Sequence, residues 1–243
     1  MKKTVVWGHR GLPALHCENG LSGFCAAASC GASGVELDVQ LTRDGRLAVI
    51  HDEELTRLTG RPGWVTQMTL EELRRSGEAA GKVPLQDFAP ELADVYQALA
   101  STNLEINVEL KTSRVAYEGI ERAVLELSEQ FGLLDRVIFS SFNHQSLLAV
   151  RRMSAAARLA LLVSDVSLDL PAEARNLNAE ALHIPCCQTK MAGLFEQYRK
   201  SGLLLRVWGA DAAADWQRLH GAVDCLIVDD APEALRVLSS PCK

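Results

Sequence analysis

Short strand-like runs alternate with helical runs along most of this 243-residue chain, and this alternation limits the folds that it can adopt. The strand-like runs are rich in β-branched and other apolar residues, and most of them precede a segment with helical periodicity. Strands that alternate with helices form βα units around a mostly parallel sheet. About eight strands are followed by a helix, which is the number that closes a (β/α)₈ barrel. We therefore expect a TIM barrel rather than an open doubly wound sheet, since no glycine-rich phosphate loop follows the first strand.

One stretch, from about residue 52 to residue 90, breaks the alternation. Glycine and proline interrupt it repeatedly, and only residues 69–75 have the pattern of a short helix, with Thr69 as its cap and Glu72 completing a capping box. We interpret this stretch as a small insertion after the second βα region. The whole chain, residues 1–243, is then expected to be a single barrel domain.

Composition and charge exclude several classes of partner. The formal net charge of −6 and the lack of a basic run argue against a nucleic-acid partner. No apolar run is long enough for a signal peptide or a membrane span, so we expect no stable insertion into a membrane. Seven cysteines without a Cys-x-x-Cys pair favour a reducing, cytoplasmic location. A small-molecule substrate remains as the expected partner, and the oligomeric state is left open.

Polar residues follow nearly every predicted strand, where a parallel barrel carries its active site. His9 and Arg10 come after the first strand, and Glu36 and Asp38 lie within the second. Other such positions are Glu109 and Lys111 in the third barrel strand, Ser140 and Phe142 at the fourth, and His183, Trp208 and Asp229 at later ones. Their common placement predicts one site at the carboxyl end of the barrel.

Three carboxylates are the candidate metal ligands. Glu36 and Asp38 are two residues apart in a strand, so both side chains point to the same face. With Glu109 they would form an acidic cluster that is costly to bury without cations. A divalent cation is one solution, and all-oxygen ligands suit Mg²⁺ or Ca²⁺, with Mn²⁺ also possible. The alternative is a buried ion-pair network in which Arg10 and Lys111 neutralise the acids.

His9 and His51 are the candidate acid and base. Imidazole titrates near neutrality, and each of these histidines is followed by a charged residue. Arg10 and Lys111 would supply positive charge for an anionic substrate.

The order of these motifs resembles the glycerophosphodiester phosphodiesterase family. The resemblance covers His-Arg-Gly at 9–11, Glu-Asn at 18–19, Glu-Leu-Asp-Val at 36–39 and His-Asp at 51–52. It continues with Asn-x-Glu-x-Lys at 107–111, Ser-Ser-Phe at 140–142 and the segment that runs from Asp224 to Pro232. These matches span nearly the whole chain, although family members often have Thr where this chain has Val228 or Gly20.

The resemblance implies a TIM barrel, an insertion after the second βα region, and metal-dependent hydrolysis of glycerophosphodiesters to glycerol 3-phosphate and an alcohol. By matching positions, the metal ligands are expected to be Glu36, Asp38 and Glu109. The acid and base become His9 and His51, and the phosphate contacts become Arg10 and Lys111. Trp208 is expected to line the glycerol pocket. Phe142 and His183 are further candidates for substrate contact; packing is the favoured role for Phe142, and for His183 both roles stay open.

Several alternatives stay open at this point. We assign His9 as the acid and His51 as the base, but the reverse is also compatible with the sequence, and the attacking oxygen is either water or the 2-hydroxyl of the substrate's glycerol. A related enzyme could cleave a bulkier diester such as a lysophospholipid, although no apolar lip is evident in the sequence. A non-catalytic module that binds a phosphorylated ligand is a second alternative, which the presence of both histidines argues against.

Overall fold

Parallel strands form a closed barrel in the computed structural model of the protein, which describes residues 3–80 and 87–239. The strands are β1 (Val5–Gly8), β2 (Gly34–Leu41), β3 (Leu47–Val49), β4 (Glu105–Leu110), β5 (Val137–Ser141), β6 (Arg158–Leu162), β7 (Ala181–Pro185), β8 (Leu204–Trp208) and β9 (Cys225–Val228). All of them except β3 are parallel, and the ring closes because β1 pairs with both β2 and β9. The (β/α)₈ barrel that the sequence predicts is therefore confirmed.

Helices follow the barrel strands, and two more lie in the insertion, of which α3 overlaps the helix predicted at residues 69–75. They are α1 (Leu21–Ser29), α2 (Thr56–Thr59), α3 (Leu70–Ala79), α4 (Leu92–Leu99), α5 (Ile120–Gln130), α6 (His144–Met153), α7 (Leu170–Asn176), α8 (Ala192–Lys200), α9 (Ala213–Leu219) and α10 (Ala231–Ser239). Among the described residues, none of these helices has the length and apolar character needed to cross a membrane.

Strand β2 shows how the sequence separates the core from the site. Its residues are buried on both faces, as is typical of a parallel barrel strand. Val35, Leu37 and Val39 belong to the apolar core cluster that also contains residues of the surrounding helices. Because side chains alternate along a strand, Glu36 and Asp38 point to the opposite face, into the barrel.

Apolar side chains fill part of the barrel interior, and polar side chains occupy its carboxyl end. A separate buried cluster consists of Trp7, Ile138, Ala160, Ala181, Cys225 and Ile227. These residues come from five of the eight barrel strands, and such inward layers make a TIM barrel a packed core rather than a pore. The acids and histidines of the predicted site lie at the carboxyl end of the barrel.

The insertion has its own small core. Strand β3 pairs antiparallel with the carboxyl end of β2 and lies outside the ring of parallel strands. A 3₁₀ turn at Val65–Gln67 and helices α2 and α3 follow, and the predicted capping box of Thr69 and Glu72 is formed. Its buried apolar residues are Ala48, Ile50, Leu55, Val65, Leu70, Leu73, Phe88 and Ala89. The predicted breaks at Gly81 and Pro84, and Cys242, lie outside the described residues.

Candidate functional site

A cavity of about 260 Å³ opens at the carboxyl ends of the barrel strands. Seven residues to which the sequence analysis gave a catalytic, metal-binding or substrate-binding role line it, together with four others. The lining residues are His9, Arg10, Glu36, His51, Asn107, Glu109, Phe142, Leu162, His183, Trp208 and Ile227. The barrel therefore brings together side chains that are far apart in the sequence.

The three predicted metal ligands lie side by side. Asp38 and Glu109 are register partners in the pairing of β2 with β4, and Glu36 precedes Asp38 on the same face of β2. One carboxylate oxygen from each of the three acids lies within 4.8 Å of the others, and all three side chains are buried. This geometry could hold a metal ion.

Burial of the three acids perturbs their ionisation. Desolvation, reinforced by the negative charge of Asp38, raises the pKa of Glu36 and that of Glu109 above the ordinary carboxyl range. Desolvation acts on Asp38 as well, but the positive charges of Lys111 and His51 outweigh it and lower the pKa of Asp38. The cluster is therefore a place of concentrated negative charge, of the kind found at functional sites.

The ion-pair alternative accounts for only part of this cluster. The Lys111 ammonium lies 3.1 Å from Glu109 and 3.6 Å from Asp38. The Arg10 guanidinium lies 3.4 Å from Asp38, whereas only its backbone N–H donates to Glu36, at 2.9 Å. Within residues 3–80 and 87–239, no lysine or arginine side chain forms an ion pair with Glu36.

The donor set fits a hard divalent cation. All the ligand atoms are carboxylate oxygens, which Mg²⁺, Ca²⁺ and Mn²⁺ prefer. The buried Oδ1 of Asp38 has no hydrogen-bond partner among the described residues, and Glu36 has no lysine or arginine ion-pair partner there, only His9 at 3.9 Å. Two basic side chains facing three acids leave negative charge that a cation would neutralise.

His9 is held by carboxylates from both ends of the chain. Its Nδ1 lies 2.6 Å from Asp229, which follows β9, and its Nε2 lies 3.9 Å from Glu36. Burial lowers the pKa of His9, but the hydrogen bond with Asp229 and the charge of Glu36 outweigh burial, so the pKa lies above its usual value. Asp229 therefore fixes the ring and favours its protonated form.

His51 lies at the end of a chain of charged contacts through the insertion. Its Nδ1 lies 2.7 Å from Asp52, and Asp52 accepts a hydrogen bond from Arg57 at 2.5 Å. Arg57 also donates two hydrogen bonds to Glu18, at 2.7 and 2.9 Å. Burial lowers the pKa of His51, with Asp38 opposing this shift. The two histidines thus lie in different electrostatic surroundings.

Asn19 holds a metal-ligand candidate and was not assigned a role from the sequence. Its side chain is buried and bonds Asp38, and its backbone adopts φ of 58°, a left-handed conformation that asparagine tolerates better than most residues. The Glu-Asn motif at 18–19 was the available signal. The sequence alone does not predict the conformation of the loop at residues 9–20, and this conformation places Asn19 beside β2.

The remaining predicted contact residues divide into two groups. Phe142 and Trp208 line the cavity and contact each other edge to face, with ring centroids 6.1 Å apart. Arg10 lines the cavity as well. Lys111 is buried beside Glu109 and Asp38 and is not among the lining residues, so its role as a phosphate contact stays a prediction.

Exposed apolar side chains, here called the apolar rim, lie in segments that connect barrel strands to the helices after them, at the end of a TIM barrel that carries the active site, and the sequence analysis did not find them. It consists of the large hydrophobic side chains that are exposed among the described residues, and each lies in a segment that follows the carboxyl end of a strand. They are Leu15 after β1, Trp64 in the insertion, Val166 and Leu168 after β6, and Met191 after β7. Because they are scattered through the sequence, only the barrel places them on the same face.

Comparison with known proteins identifies the family. The model of the glycerophosphoryl diester phosphodiesterase family matches residues 9–233. The chain belongs to this family. The family predicted from the sequence motifs is therefore confirmed, together with its enzyme class.

Individual family members are similar over almost their full length. A glycerophosphodiester phosphodiesterase from Caldanaerobacter subterraneus subsp. tengcongensis is 36% identical over 236 residues, covering 96% of each chain. The crystal structure of the glycerophosphodiester phosphodiesterase from Thermotoga maritima has a TM-score of 0.83 and 27% identity, covering 98% of this chain and 99% of that one. A phosphodiesterase from Oleispira antarctica, solved with the product sn-glycerol-3-phosphate, has a TM-score of 0.81 at 22% identity and covers 98% of both chains. This structural similarity shows that the Oleispira antarctica protein and this chain share a fold.

Proposed function

We propose that the protein hydrolyses glycerophosphodiesters to sn-glycerol 3-phosphate and an alcohol, with one divalent cation held by Glu36, Asp38 and Glu109. The observation that carries this proposal is the convergence of the three carboxylates, within 4.8 Å of one another, beside two histidines in the wall of one cavity. Family membership restricts the chemistry that such a site would perform to phosphodiester hydrolysis.

The bound cation would supply Lewis-acid stabilisation of the charge that develops on the phosphoryl oxygens. Arg10, which lines the same cavity, would add a charged hydrogen-bond donor for these oxygens. Lys111 would neutralise part of the negative charge of the acids, since its ammonium contacts Glu109 and Asp38. The cation would be Mg²⁺ or Ca²⁺, with Mn²⁺ as a third candidate.

The two histidines are suited to proton transfer. Each uses Nδ1 to bind a carboxylate, Asp229 for His9 and Asp52 for His51, and each lines the cavity. A carboxylate on Nδ1 fixes the orientation of the ring and leaves Nε2 to exchange a proton with the substrate. We assign His9 as the acid that protonates the leaving alkoxide and His51 as the base that activates the attacking oxygen.

The central experiment measures release of glycerol 3-phosphate from diesters with choline, ethanolamine, glycerol and inositol head groups. The protein is first treated with EDTA and then given Mg²⁺, Ca²⁺ or Mn²⁺ separately. We expect no turnover with EDTA and recovery with at least one cation. Absence of release from every diester with every cation would refute the proposal, and release that persists in EDTA would refute its metal dependence.

Variants at His51 test the acid–base assignment. We expect His51→Ala to lose most of its turnover with the metal present, since general acid–base groups contribute typically 10²–10⁴-fold. His16→Ala is the matched control, because His16 lies in the loop after β1 and bonds Ser22 rather than lining the cavity. Near-normal turnover of glycerophosphocholine by His51→Ala would contradict the assignment.

The identity of the attacking oxygen needs a separate substrate. A choline phosphodiester of propan-1-ol has no hydroxyl that could attack the phosphorus, so only attack by water can release its choline and leave propyl phosphate. Turnover of this diester assigns the attack to water. Its resistance, combined with a cyclic phosphate product from the glycerol diester, assigns the attack to the 2-hydroxyl.

The apolar rim favours a second candidate function, cleavage of a bulkier diester that carries a hydrocarbon chain, such as a lysophospholipid. The side chain of Leu168 is fully exposed, at 102% of its reference area, and Leu15 is 72% exposed. Exposed apolar side chains at this end of the barrel would be partly removed from water by contact with a hydrocarbon chain, which is favourable. We expect Leu168→Ser to lower turnover of lysophosphatidylcholine while leaving glycerophosphocholine unaffected. An equal effect on both diesters, or none on either, would argue against this function.

Two further predictions remain part of the proposal. The whole chain is treated as one domain, so its thermal unfolding should be a single cooperative transition. A cytoplasmic location is favoured by its cysteines, since Cys17, Cys25, Cys30, Cys186, Cys187 and Cys225 are all free.

A further inference from the structure

His183 is a buried histidine in the cavity wall that the proposed hydrolysis does not use. It lies in β7, its side chain is completely buried, and it lines the same cavity as His9 and Glu109. The proposed proton-transfer pair and the metal-ligand candidates lie in the part of the chain that runs from the loop after β1 to the end of β4. His183 lies on the opposite side of the barrel, away from the acids.

A neighbouring arginine fixes the tautomer of His183. The guanidinium of Arg206, the register partner of His183 on β8, lies 3.2 Å from its Nε2. Since arginine can only donate, Nε2 must be the acceptor, and the ring hydrogen is on Nδ1. Arg206 is itself anchored by Glu180, at 2.7 Å, so it cannot easily turn away.

Burial keeps this ring neutral. Desolvation, together with the positive charge of Arg206, holds the pKa of His183 well below its usual value. The ring therefore offers one fixed N–H donor near neutral pH. It is a poor candidate for a general acid or a metal ligand, because its Nε2 is engaged and its Nδ1 carries the hydrogen.

That donor has no partner. Nδ1 of His183 is buried and forms no hydrogen bond with any described residue. A buried donor without a partner is unfavourable, and most such groups in proteins are paired. The His183 ring also packs edge to face against Trp7, with centroids 6.3 Å apart, and this contact gives Nδ1–H no nitrogen or oxygen acceptor.

Besides Nε of the charged Arg10, two neutral buried polar atoms of residues that line this cavity also lack hydrogen-bond partners among the described residues. They are Oδ1 of Asn107, an acceptor, and Nε1 of Trp208, a donor. Glu36, Glu109 and Arg10 present charged groups to the cavity, whereas His183, Asn107 and Trp208 present neutral ones. Neutral donors and acceptors match hydroxyl groups, which can both accept and donate.

We infer that His183 is a specificity-determining residue whose Nδ1–H donates a hydrogen bond to a hydroxyl oxygen of the substrate's glycerol. The inference rests on the proposed function, since it takes the substrate to be a glycerophosphodiester. The phosphate would lie toward Arg10 and the acids, and the three-carbon chain would extend across the cavity toward His183. Arg206 would act as a positioning residue, because it sets the tautomer without contacting the substrate.

The test compares two ligands that differ only in their hydroxyls. sn-Glycerol 3-phosphate and propyl phosphate share the phosphate and the three-carbon chain, and neither requires a chemical step. Calorimetry with the divalent cation present gives a dissociation constant for each. We expect the wild-type protein to bind glycerol 3-phosphate more tightly by roughly five- to hundredfold, the range for a hydrogen bond whose loss leaves a buried group unpaired.

Two variants separate the donor from the packing role. In His183→Asn, the amide nitrogen is as many bonds from Cβ as Nδ1 is, so a donor is retained near that position. In His183→Gln, the amide reaches the position of Nε2, so the contact with Arg206 can persist but the Nδ1 donor is lost. We expect the preference for glycerol 3-phosphate to persist in His183→Asn and to fall at least about fivefold in His183→Gln.

The opposite order would overturn the inference. If His183 only packs, His183→Asn should be the more damaged variant, because it leaves more empty space and removes the acceptor for Arg206. An unchanged preference in His183→Gln, or equal binding of both ligands by the wild-type protein, would also overturn it. Failure of the proposed function is distinguishable, because it would appear as absence of diester hydrolysis by the wild-type protein itself.

Discussion

Asn19 and Asp38 are joined by two hydrogen bonds that form a closed ring. The Nδ2 of Asn19 donates to Oδ2 of Asp38 at 2.9 Å, and the backbone N–H of Asp38 donates to Oδ1 of Asn19 at 3.2 Å. Both side chains are buried, so the pair has little freedom to rotate. The amide of Asn19 thus fixes which oxygen of Asp38 remains for a cation.

Replacement of Asn19 should weaken metal binding without removing a ligand. We expect Asn19→Ala to lower the affinity for the activating cation by about 10–100-fold, as is typical when a residue that orients a ligand is lost. Titration of the cation against activity, and calorimetry on the EDTA-treated protein, measure this change. Asn178→Ala is the control, because Asn178 also has a positive φ, of 48°, but lies in an exposed turn after α7. Equal cation affinities for both variants would contradict the role given to Asn19.

Arg57 connects the insertion to the barrel rim. It donates to Asp52, the partner of His51, and to Glu18. We expect Arg57→Ala to reduce kcat several-fold with little change in unfolding temperature, since the side chain is about half exposed and exposed ion pairs contribute little to stability. Arg57→Lys should restore only part of the rate, because lysine cannot form the same set of directed contacts.

The control for Arg57 is Arg61→Ala in the same insertion, because Arg61 is exposed and lines no part of the cavity. Steady-state rates on glycerophosphocholine with saturating cation provide the comparison. Equal rates for Arg57→Ala and the wild-type protein would show that Asp52 needs no support from Arg57 to orient His51.

Glu36→Gln should change stability in opposite directions with and without the cation. In EDTA, the variant should unfold at a higher temperature than the wild-type protein, because it removes a buried charge that has no lysine or arginine partner among the described residues. With the cation, only the wild-type protein should gain substantial stability, since a ligand that binds the folded state raises its unfolding free energy.

The pH dependence in EDTA follows from the same charges. Burial and the charge of Asp38 raise the pKa of Glu36, so the folded wild-type protein binds more protons than the unfolded chain above the ordinary carboxyl pKa of about 4.3. Stability from this group is therefore present at low pH and is lost as the pH rises toward the raised value. Thermal unfolding across pH should show a smaller loss for Glu36→Gln, with Glu126→Gln on α5 as an exposed control. A variant that is less stable in EDTA at every pH would refute this account.

The sequence was sufficient to predict the barrel and the ligand candidates because those follow from local periodicity. Alternation along β2 places Glu36 and Asp38 on one face, and the motif order gives the family. The pairing of His9 with Asp229 was not predictable in this way, since 220 residues separate them and only closure of β1 against β9 brings them together. The apolar rim and the unpaired Nδ1 of His183 likewise depend on the assembled barrel.

A substitution at Gly8 tests whether the close packing of the 9–11 loop against β1 positions His9 and Arg10. A Cβ at this position would lie 2.0 Å from the carbonyl oxygen of Gly11, much closer than any real contact allows. We expect Gly8→Ala to destabilise the protein by about 1–3 kcal/mol, as overpacking does, and to lower activity further by displacing the 9–11 loop. Gly193→Ala on α8 is the matched control, because its Cβ would meet no atom within 4 Å and alanine favours a helix. Chemical denaturation and turnover should therefore separate the two variants, with Gly193→Ala as stable as the wild-type protein or more so. A Gly8→Ala variant of normal stability and activity would show that the loop can yield, and that its close approach to β1 is not what positions His9 and Arg10.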